Sequence, residues 1–456
     1  MSLFRKKSAT CAVDESERLN ACLTAKDLVL LGIGAIIGAG VFVLTGVAAA
    51  TSAGPAVSLS YVFAGLASLF AALCYAELAS SIGGCGSAYN YTYVGFGEFM
   101  AWIIGWDLLL EYSLSVSTVA IGWSGYVNNA LLSLGIPLPT MLSTNPFQGG
   151  MVNAPAAMII VLLAALLCVG VRQSAKFNAW IVAIKLMVIA FFIVVAIPNV
   201  KFAYWHPFAP FGFHGVVSGA ALVFFAYIGF DAVSTAVEET IDPQKAMPIG
   251  IIVSVTVCTL IYILVAALLT GIVPYQSLNV ASPVSDALMS LGYHTAGGVI
   301  ALGAIAGLTS VMLVMYYGLT RIFFAMSRDG LLPSLFSVLS SRFKTPITVI
   351  ILCGIVMATI AGLVPLAEAA ELVNIGTLAA FIFVCAGVMY LRITQPDLER
   401  PFKLPFFPYI PLLGIIFCAY LMLHLSPVSW ERFVIWLLAG VVIYFVYGIK
   451  KSKLRE

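Results

Sequence analysis

The sequence predicts an all-α integral membrane protein with twelve transmembrane helices. Of its 456 residues, 62% are hydrophobic and only 9% are charged, whereas a soluble domain is about 25% charged. Its apolar residues form runs long enough to cross a bilayer, and its basic residues fall almost entirely on one side of them. This composition excludes a soluble or a disordered chain. A net charge of +2 offers no strongly basic face for nucleic acid.

Each apolar run is about as long as a membrane-crossing helix, which needs about 20 residues. The runs lack the alternation of a membrane β-barrel, so helices are predicted. Thr24 precedes the first run and Asp27 follows three residues later, which predicts a capping box at the helix start. Numbered as spans 1 to 12, the runs are 27–50, 55–80, 99–128, 154–170, 177–197, 213–237, 249–273, 296–326, 346–364, 368–391, 408–425 and 430–449.

The positions of the basic residues predict the orientation of the chain. All but three of the 22 Lys and Arg residues lie on the same side as the N-terminus. The exceptions are Lys201 and Arg432 on the other side and Lys185 within span 5. Basic loops face the cytoplasm. The sequence therefore predicts a multi-pass protein of the cell membrane, with a cytoplasmic tail at 1–26 and a basic cytoplasmic tail at 450–456.

Two spans contain glycines that predict helix breaks. Span 1 has four glycines between 32 and 40, each weakening a helix by about 1 kcal/mol relative to alanine. Close helix packing is the alternative explanation, since Gly34 and Gly38 have the small-xxx-small spacing. Gly38 and Gly40 together predict a short unwound stretch, and Gly229 predicts a second one in span 6. Breaks at matching positions of two five-span blocks indicate a transporter site.

Broken helices inside a membrane suit a zwitterionic ligand. A half-helix N-terminus offers amides and partial positive charge to a carboxylate. The C-terminal carbonyls of the other half accept hydrogen bonds from an ammonium group. An α-amino acid carries both groups, so the two breaks favour an amino acid as the ligand.

Four motifs resemble one known family. They are G-I-G-A-I-I-G-A-G-V-F-V-L-T-G (32–46), G-P-A (54–56), F-F-A-Y-I-G-F-D (224–231) and S-R-D-G-L-L-P (327–333). The chain thereby resembles the amino acid–polyamine–organocation superfamily, and within it the cationic amino acid transporter branch. Animal members of that branch typically have fourteen spans, so twelve spans indicate a bacterial-type relative.

The resemblance implies a leucine-transporter-like fold, with two inverted five-span repeats at 27–200 and 201–395 and two trailing spans in 396–449. Spans 1 and 6 would be discontinuous. Amides of the first break would bind the substrate carboxylate, and carbonyls of both breaks the ammonium group. An aromatic gate would cover the substrate, and a methionine in span 8 would restrict its side chain. The implied site residues are Ile36, Gly38, Ala39, Gly40, Phe225 (the gate), Ala226, Ile228 and Met315.

Lys185 is the one basic residue predicted inside the membrane. It lies about 12 Å from the nearer end of span 5, beyond the roughly 6 Å reach of its stem. One interpretation is a structural lysine that bonds carbonyl groups. The other is a proton-coupling site, because burial disfavours a charged amine. The resemblance favours the second, since a lysine here would bond carbonyls near the first break when protonated.

For other ionisable residues the sequence leaves alternative roles open. Asp107 and Glu111 share a face of span 3. One interpretation is that they form structural hydrogen bonds. The other is that Glu111 lines the substrate pocket or relays protons. The nine cysteines show no C-x-x-C spacing and predict buried free thiols rather than a metal site. All four histidines lie near external span ends and are poorly placed for proton coupling: His206, His214, His294 and His424.

These features predict a symporter that imports L-amino acids with protons by alternating access, with small neutral substrates such as alanine favoured. Open alternatives are a transporter of arginine, lysine or ornithine, an amino acid exchanger and, in another class, a polytopic receptor or channel. No P-loop, H-E-x-x-H or G-x-S-x-G motif occurs, so neither an ATP-driven pump nor an enzyme is expected. The expected partners are the amino acid, protons and membrane lipid, with no cofactor or metal.

Overall fold

The computed structural model describes residues 5–7, 23–82, 88–169, 175–234, 236–340 and 345–453. Most of the predicted tail 1–26 and the last three residues of the tail 450–456 lie outside these ranges. Across the described residues the regular structure is helical, apart from one isolated bridge between Leu23 and Thr240. The fold is therefore all-α, as predicted.

Eight helical segments are long and apolar enough to cross a membrane, by length and composition. One of them, Gly40–Ser81, includes the second half of span 1 and all of span 2. Three further apolar helices are shorter and correspond to spans 4, 9 and 11: Ala154–Val169, Ile347–Leu363 and Tyr409–Met422. The prediction of a multi-pass helical membrane protein agrees with this architecture. Twelve crossings and the inverted repeat stay predictions.

Over the described residues, each predicted span coincides with helical backbone. Spans 1 and 6 consist of several short helical pieces, whereas each of the other spans is built mainly on one helix; in span 12 that helix continues as a wide-turned helix over Tyr444–Gly448. The unbroken helices are Val57–Ser81, Glu98–Ser133, Ala154–Val169, Ala175–Ala196, Pro243–Ile272, His294–Arg328, Ile347–Leu363, Leu366–Thr394, Tyr409–Met422 and Pro427–Ile443. Two short helices outside the spans, Ala88–Gly95 and Pro283–Ser290, follow spans 2 and 7.

The helices pack in two groups. The two halves of span 1 and span 6 pack with spans 2 and 7. Spans 3, 4, 8, 9 and 10 form the second group, in which span 3 is the central helix. Span 5 touches span 1 of the first group and span 8 of the second. Both broken spans therefore belong to one packed unit that lies against a separate scaffold.

The start of span 1 is capped as the sequence predicts. Thr24 accepts a hydrogen bond from the Asp27 amide, and the Asp27 carboxylate accepts one from the Thr24 amide at 2.9 Å. Just before this cap, the Leu23 amide donates to the Glu239 carbonyl at 2.9 Å. The Ile241 amide donates back to the Leu23 carbonyl at 2.8 Å. Main-chain hydrogen bonds thus join the start of span 1 to the segment at the end of span 6.

Candidate functional site

The helix of span 1 is interrupted near its middle. Its first half, Ala25–Ile36, ends at Ile37, whose backbone is extended. After a bend at Gly38 the chain resumes as a wide-turned helix over Gly40–Leu44. Gly40 therefore lies just after the break rather than within it. A Cβ atom on Gly40 would overlap Ala226 of span 6, so this glycine allows the two broken spans to touch.

Span 6 is interrupted at Ile228 and Gly229. Its first half, Gly212–Val223, continues as a tight turn over Phe224–Tyr227 before Ile228 becomes extended. Gly229 has φ +116°, a left-handed conformation that favours glycine. A Cβ here would also lie 2.9 Å from the Ala35 carbonyl oxygen. The backbone conformation and the lack of room for a Cβ atom therefore both favour glycine at the predicted break.

Asp231 stabilises the geometry of this second break. One of its carboxylate oxygens accepts a hydrogen bond from the Gly229 amide at 3.2 Å. The other accepts one from the Tyr112 hydroxyl of span 3 at 2.8 Å. This buried carboxylate consequently links the first group of helices to the scaffold beside the break.

Tyrosine hydroxyls join the broken ends, a role that no motif in the sequence indicates. The Tyr262 hydroxyl of span 7 lies 2.9 Å from the Ile36 carbonyl and 3.0 Å from the Ala226 carbonyl. Its single proton is shared between the two spans. The Tyr61 hydroxyl of span 2 donates to the Gly40 carbonyl at 3.1 Å. Both rings pack together, with centroids 5.3 Å apart.

A small cavity lies where the two breaks meet spans 3 and 8. Among the residues that the structure describes, none with an ionisable side chain lines it. The Ser115 hydroxyl is buried and has no hydrogen-bond partner within the described ranges. The lining residues are Ala35, Ile36, Gly38, Ala39, Gly40, Ser115, Val119, Phe225, Ile228, Val311 and Met315.

Most of the predicted site residues meet at this cavity, and two do not line it. Ala226 packs behind the cavity against Gly40. Glu111 is buried one helical turn before Ser115 and is not part of the lining. Ser115 and Val119 follow Glu111 at intervals of four residues, so all three share one face of span 3. Only the two later turns of that face reach the cavity.

Lys185 reaches the first break from span 5. Its side chain is completely buried, and its amine donates to the Gly34 carbonyl at 2.7 Å and the Ile37 carbonyl at 3.0 Å. Its aliphatic stem lies against Gly307 of span 8, where a Cβ would be 3.2 Å away. These carbonyls belong to the last turn before the break, so the position of Lys185 is coupled to the geometry of span 1.

Comparison with known proteins identifies the family. A sequence family described as "Amino acid permease" matches residues 23–447. The chain belongs to the amino acid permease family. This match covers nearly the whole chain and confirms the resemblance to the amino acid–polyamine–organocation superfamily.

Relatives of this permease include two full-length Bacillus subtilis proteins. The branched-chain amino acid permease BcaP is 51% identical, over 100% of this chain and 99% of the relative. The methylthioribose transporter is 48% identical over 100% of both. A vacuolar cationic amino acid transporter 4 from Arabidopsis thaliana is 38% identical over 84% of this chain and 65% of its own length. These relatives are named permeases or transporters, and the chain is likewise a transporter and not an enzyme.

Proposed function

We propose that this permease imports neutral L-amino acids together with protons, and that it favours small ones such as alanine. The observation that carries the proposal is the cavity between the two helix breaks, whose lining offers main-chain polar groups and apolar side chains. Substrate recognition then rests on the groups common to all amino acids. The main chain of Ala39 and Gly40 would bind the carboxylate, and the Ile36, Phe225 and Ile228 carbonyls the ammonium group.

The side-chain part of the cavity supports a neutral substrate. Val119, Val311 and Met315 contribute apolar surface there. Burying an arginine or lysine head group against such a surface without a partner would cost several kcal/mol. Glu111, the carboxylate considered for a cationic substrate, is not in the lining. Within the neutral class we propose that Met315 limits side-chain size and that Phe225 covers the bound substrate.

Lys185 supplies the proposed coupling to protons. When protonated, its amine holds the Gly34 and Ile37 carbonyls of span 1. Loss of the proton weakens both bonds and releases span 1 to move relative to span 5. Substrate binding at the same break then becomes linked to protonation. The driving force is the proton gradient, and no cofactor or metal is needed.

The packing in two groups supports alternating access. The group of spans 1, 2, 6 and 7 contains both breaks and would rock against the scaffold, opening the cavity to each side in turn. We propose twelve crossings, with inverted repeats at 27–200 and 201–395 and trailing spans in 396–449. The tails 1–26 and 450–456 would both be cytoplasmic in the cell membrane.

Uptake by purified protein in liposomes tests this proposal. Labelled alanine should accumulate against its gradient when the lumen is made alkaline, without a counter-substrate inside. A channel or receptor would not concentrate the substrate, and a strict exchanger would require internal amino acid. Excess unlabelled alanine should compete most strongly, followed by valine and then leucine and isoleucine.

The same competition assay distinguishes the alternatives that the relatives raise. Strong competition by leucine and isoleucine, but not alanine, would move the preference to branched-chain substrates. Competition by arginine alone would contradict a neutral substrate. Competition by methylthioribose alone would contradict an amino acid substrate.

A further inference from the structure

Two histidines that play no part in the proposed transport cycle lie side by side. His214 is in the first turn of Gly212–Val223, the first half of span 6. His424 is in the connection between Tyr409–Met422 and Pro427–Ile443. Their ring centroids are 5.3 Å apart and the ring planes are inclined by 51°. His214 is exposed and His424 partly exposed, so both rings are accessible from the side predicted to be external.

The surroundings of His424 prepare it to bind a metal ion. Its Nδ1 lies 2.9 Å from the Tyr420 carbonyl oxygen. A carbonyl only accepts hydrogen bonds, so Nδ1 carries the proton and the lone pair is on Nε2. Histidines that bind metals typically donate their other N–H to such a carbonyl, which fixes the ring. The Tyr420 ring, 4.7 Å from the His424 ring between centroids, adds a second constraint.

His214 is compatible with the same role. Its Nδ1 is 3.5 Å from the Ser218 hydroxyl. A hydroxyl either donates or accepts. Either tautomer of His214 is therefore satisfied, including the one whose Nε2 is free to bind.

The spacing of the rings matches two ligands of one tetrahedral ion. A zinc–nitrogen bond is about 2 Å and the ring centre lies about 1.2 Å beyond the nitrogen, so two histidines at a tetrahedral angle place their centroids about 5 Å apart. The observed distance of 5.3 Å agrees with this spacing.

We propose that His214 and His424 form an external binding site for a divalent transition cation of the zinc type. Among the described residues no group of three or more His, Cys, Asp or Glu side chains is placed to hold a metal. Water therefore completes the coordination. Two imidazoles also suit nickel, cobalt and copper. With only two protein ligands the site binds reversibly and is not a structural centre.

The site ties a moving element to a different part of the protein. His214 is on the half of span 6 that leads to Phe225 and the break, whereas His424 follows span 11. Bridging them restricts movement of this half-helix relative to spans 11 and 12. This consequence rests on the proposed alternating access, and it makes the bound ion an inhibitor of transport.

Metal binding is measured first, without any transport. Zinc chloride alone should raise the melting temperature of the purified protein, and Co²⁺ should give a visible absorption spectrum on binding. His214→Ala and His424→Ala should each abolish both signals, and the double variant should show no further loss. His294→Ala removes another exposed histidine and is the matched control that should keep them. Zinc binding that survives both single substitutions would overturn the site.

Transport is the second readout. External zinc should inhibit uptake by the wild type and by His294→Ala, and chelation should reverse the inhibition. His214→Ala and His424→Ala should transport normally and resist zinc. His424→Cys keeps a zinc ligand and should restore sensitivity. Zinc that binds at the two histidines without slowing uptake would overturn the inhibitory role. If the protein failed to transport amino acids at all, the binding measurements would still decide the site.

Discussion

The centre of the permease and the face predicted to be cytoplasmic use polar groups in opposite ways. Around the two helix breaks, main-chain carbonyls, tyrosine hydroxyls and the Asp231 carboxylate make the contacts. Among the residues that the structure describes, Lys185 is the cation that bonds these carbonyls. At the predicted cytoplasmic face, side-chain ions are paired directly. The Glu77 carboxylate accepts from Arg392 at 2.8 Å, and that of Asp329 accepts from Lys7 at 2.6 Å.

This difference follows from what each region has to do. A site that opens and closes must break some hydrogen bonds and form others. Leaving a main-chain dipole unpaired during this exchange costs less free energy than leaving a buried ion unpaired. Ion pairs fix a geometry, but removing one partner costs free energy because the other charge is left unpaired. The comparison therefore predicts that substitutions at the centre mainly affect transport, whereas substitutions at the predicted cytoplasmic face mainly affect stability.

The largest effect on transport is expected at the contact between the broken spans. Gly40→Ala places a Cβ onto Ala226, so the two spans cannot approach and uptake should fall to the level of empty liposomes. Gly298→Ala is the matched control, because a Cβ there meets nothing within 4 Å. Normal uptake by Gly40→Ala would show that the close contact is not needed for transport.

Replacing Lys185 should abolish coupling while keeping the substrate site. Lys185→Met retains the length of the stem and removes the amine, so the Gly34 and Ile37 carbonyls lose their donor. Accumulation driven by an imposed pH gradient should disappear, while exchange of labelled for unlabelled substrate continues. Lys201→Met removes an exposed lysine and serves as the control. If Lys185→Met still accumulates alanine, this lysine does not couple protons to transport.

At the predicted cytoplasmic face we expect substitutions to lower the stability of the protein. The Glu77 side chain is 3% exposed and pairs with Arg392 and, at 3.7 Å, with Arg400. Glu77→Gln leaves buried positive charge unpaired and should lower the free energy of unfolding by about 3 kcal/mol.

The exposed pair of Lys245 with Asp242, 3.4 Å apart, provides the comparison for Glu77. Asp242→Asn should cost less than about 1 kcal/mol, because solvent already screens these charges. Denaturant-induced unfolding in detergent measures both variants. Equal losses of stability in Glu77→Gln and Asp242→Asn would remove the contrast between buried and exposed pairs.

The smallest effect is expected from the hydroxyl shared by the two breaks. Tyr262→Phe keeps the packed ring and removes one hydrogen bond. The efficiency of uptake, measured as the maximum rate divided by KM, should therefore fall by about fivefold, equivalent to about 1 kcal/mol. The melting temperature should change little. Tyr409→Phe, at a tyrosine that is 67% exposed, should leave uptake unchanged. A complete loss of uptake in Tyr262→Phe would mean that its hydroxyl does more than join the two spans.

The sequence was most informative where a local rule applies. The capping box at Thr24 depends on two side chains three residues apart, and Gly229 marks a conformation that other residues rarely adopt. Lys185 was identified because a lysine deep in an apolar run is costly. Contacts between distant residues were not accessible in this way. No spacing links Tyr262 to Ile36 and Ala226, or His214 to His424.

By itself, the sequence determined the membrane class of the chain, the helices and the approximate positions of both breaks, because these depend on composition and on residues close along the chain. Only the tertiary structure decided that Ser115 and not Glu111 lines the cavity. It also decided which carbonyls Lys185 bonds and which residues touch Gly40. The physical reason is that one helical turn moves a side chain by about 5.4 Å, enough to change its neighbours completely, and only the packing of neighbouring helices selects the turn.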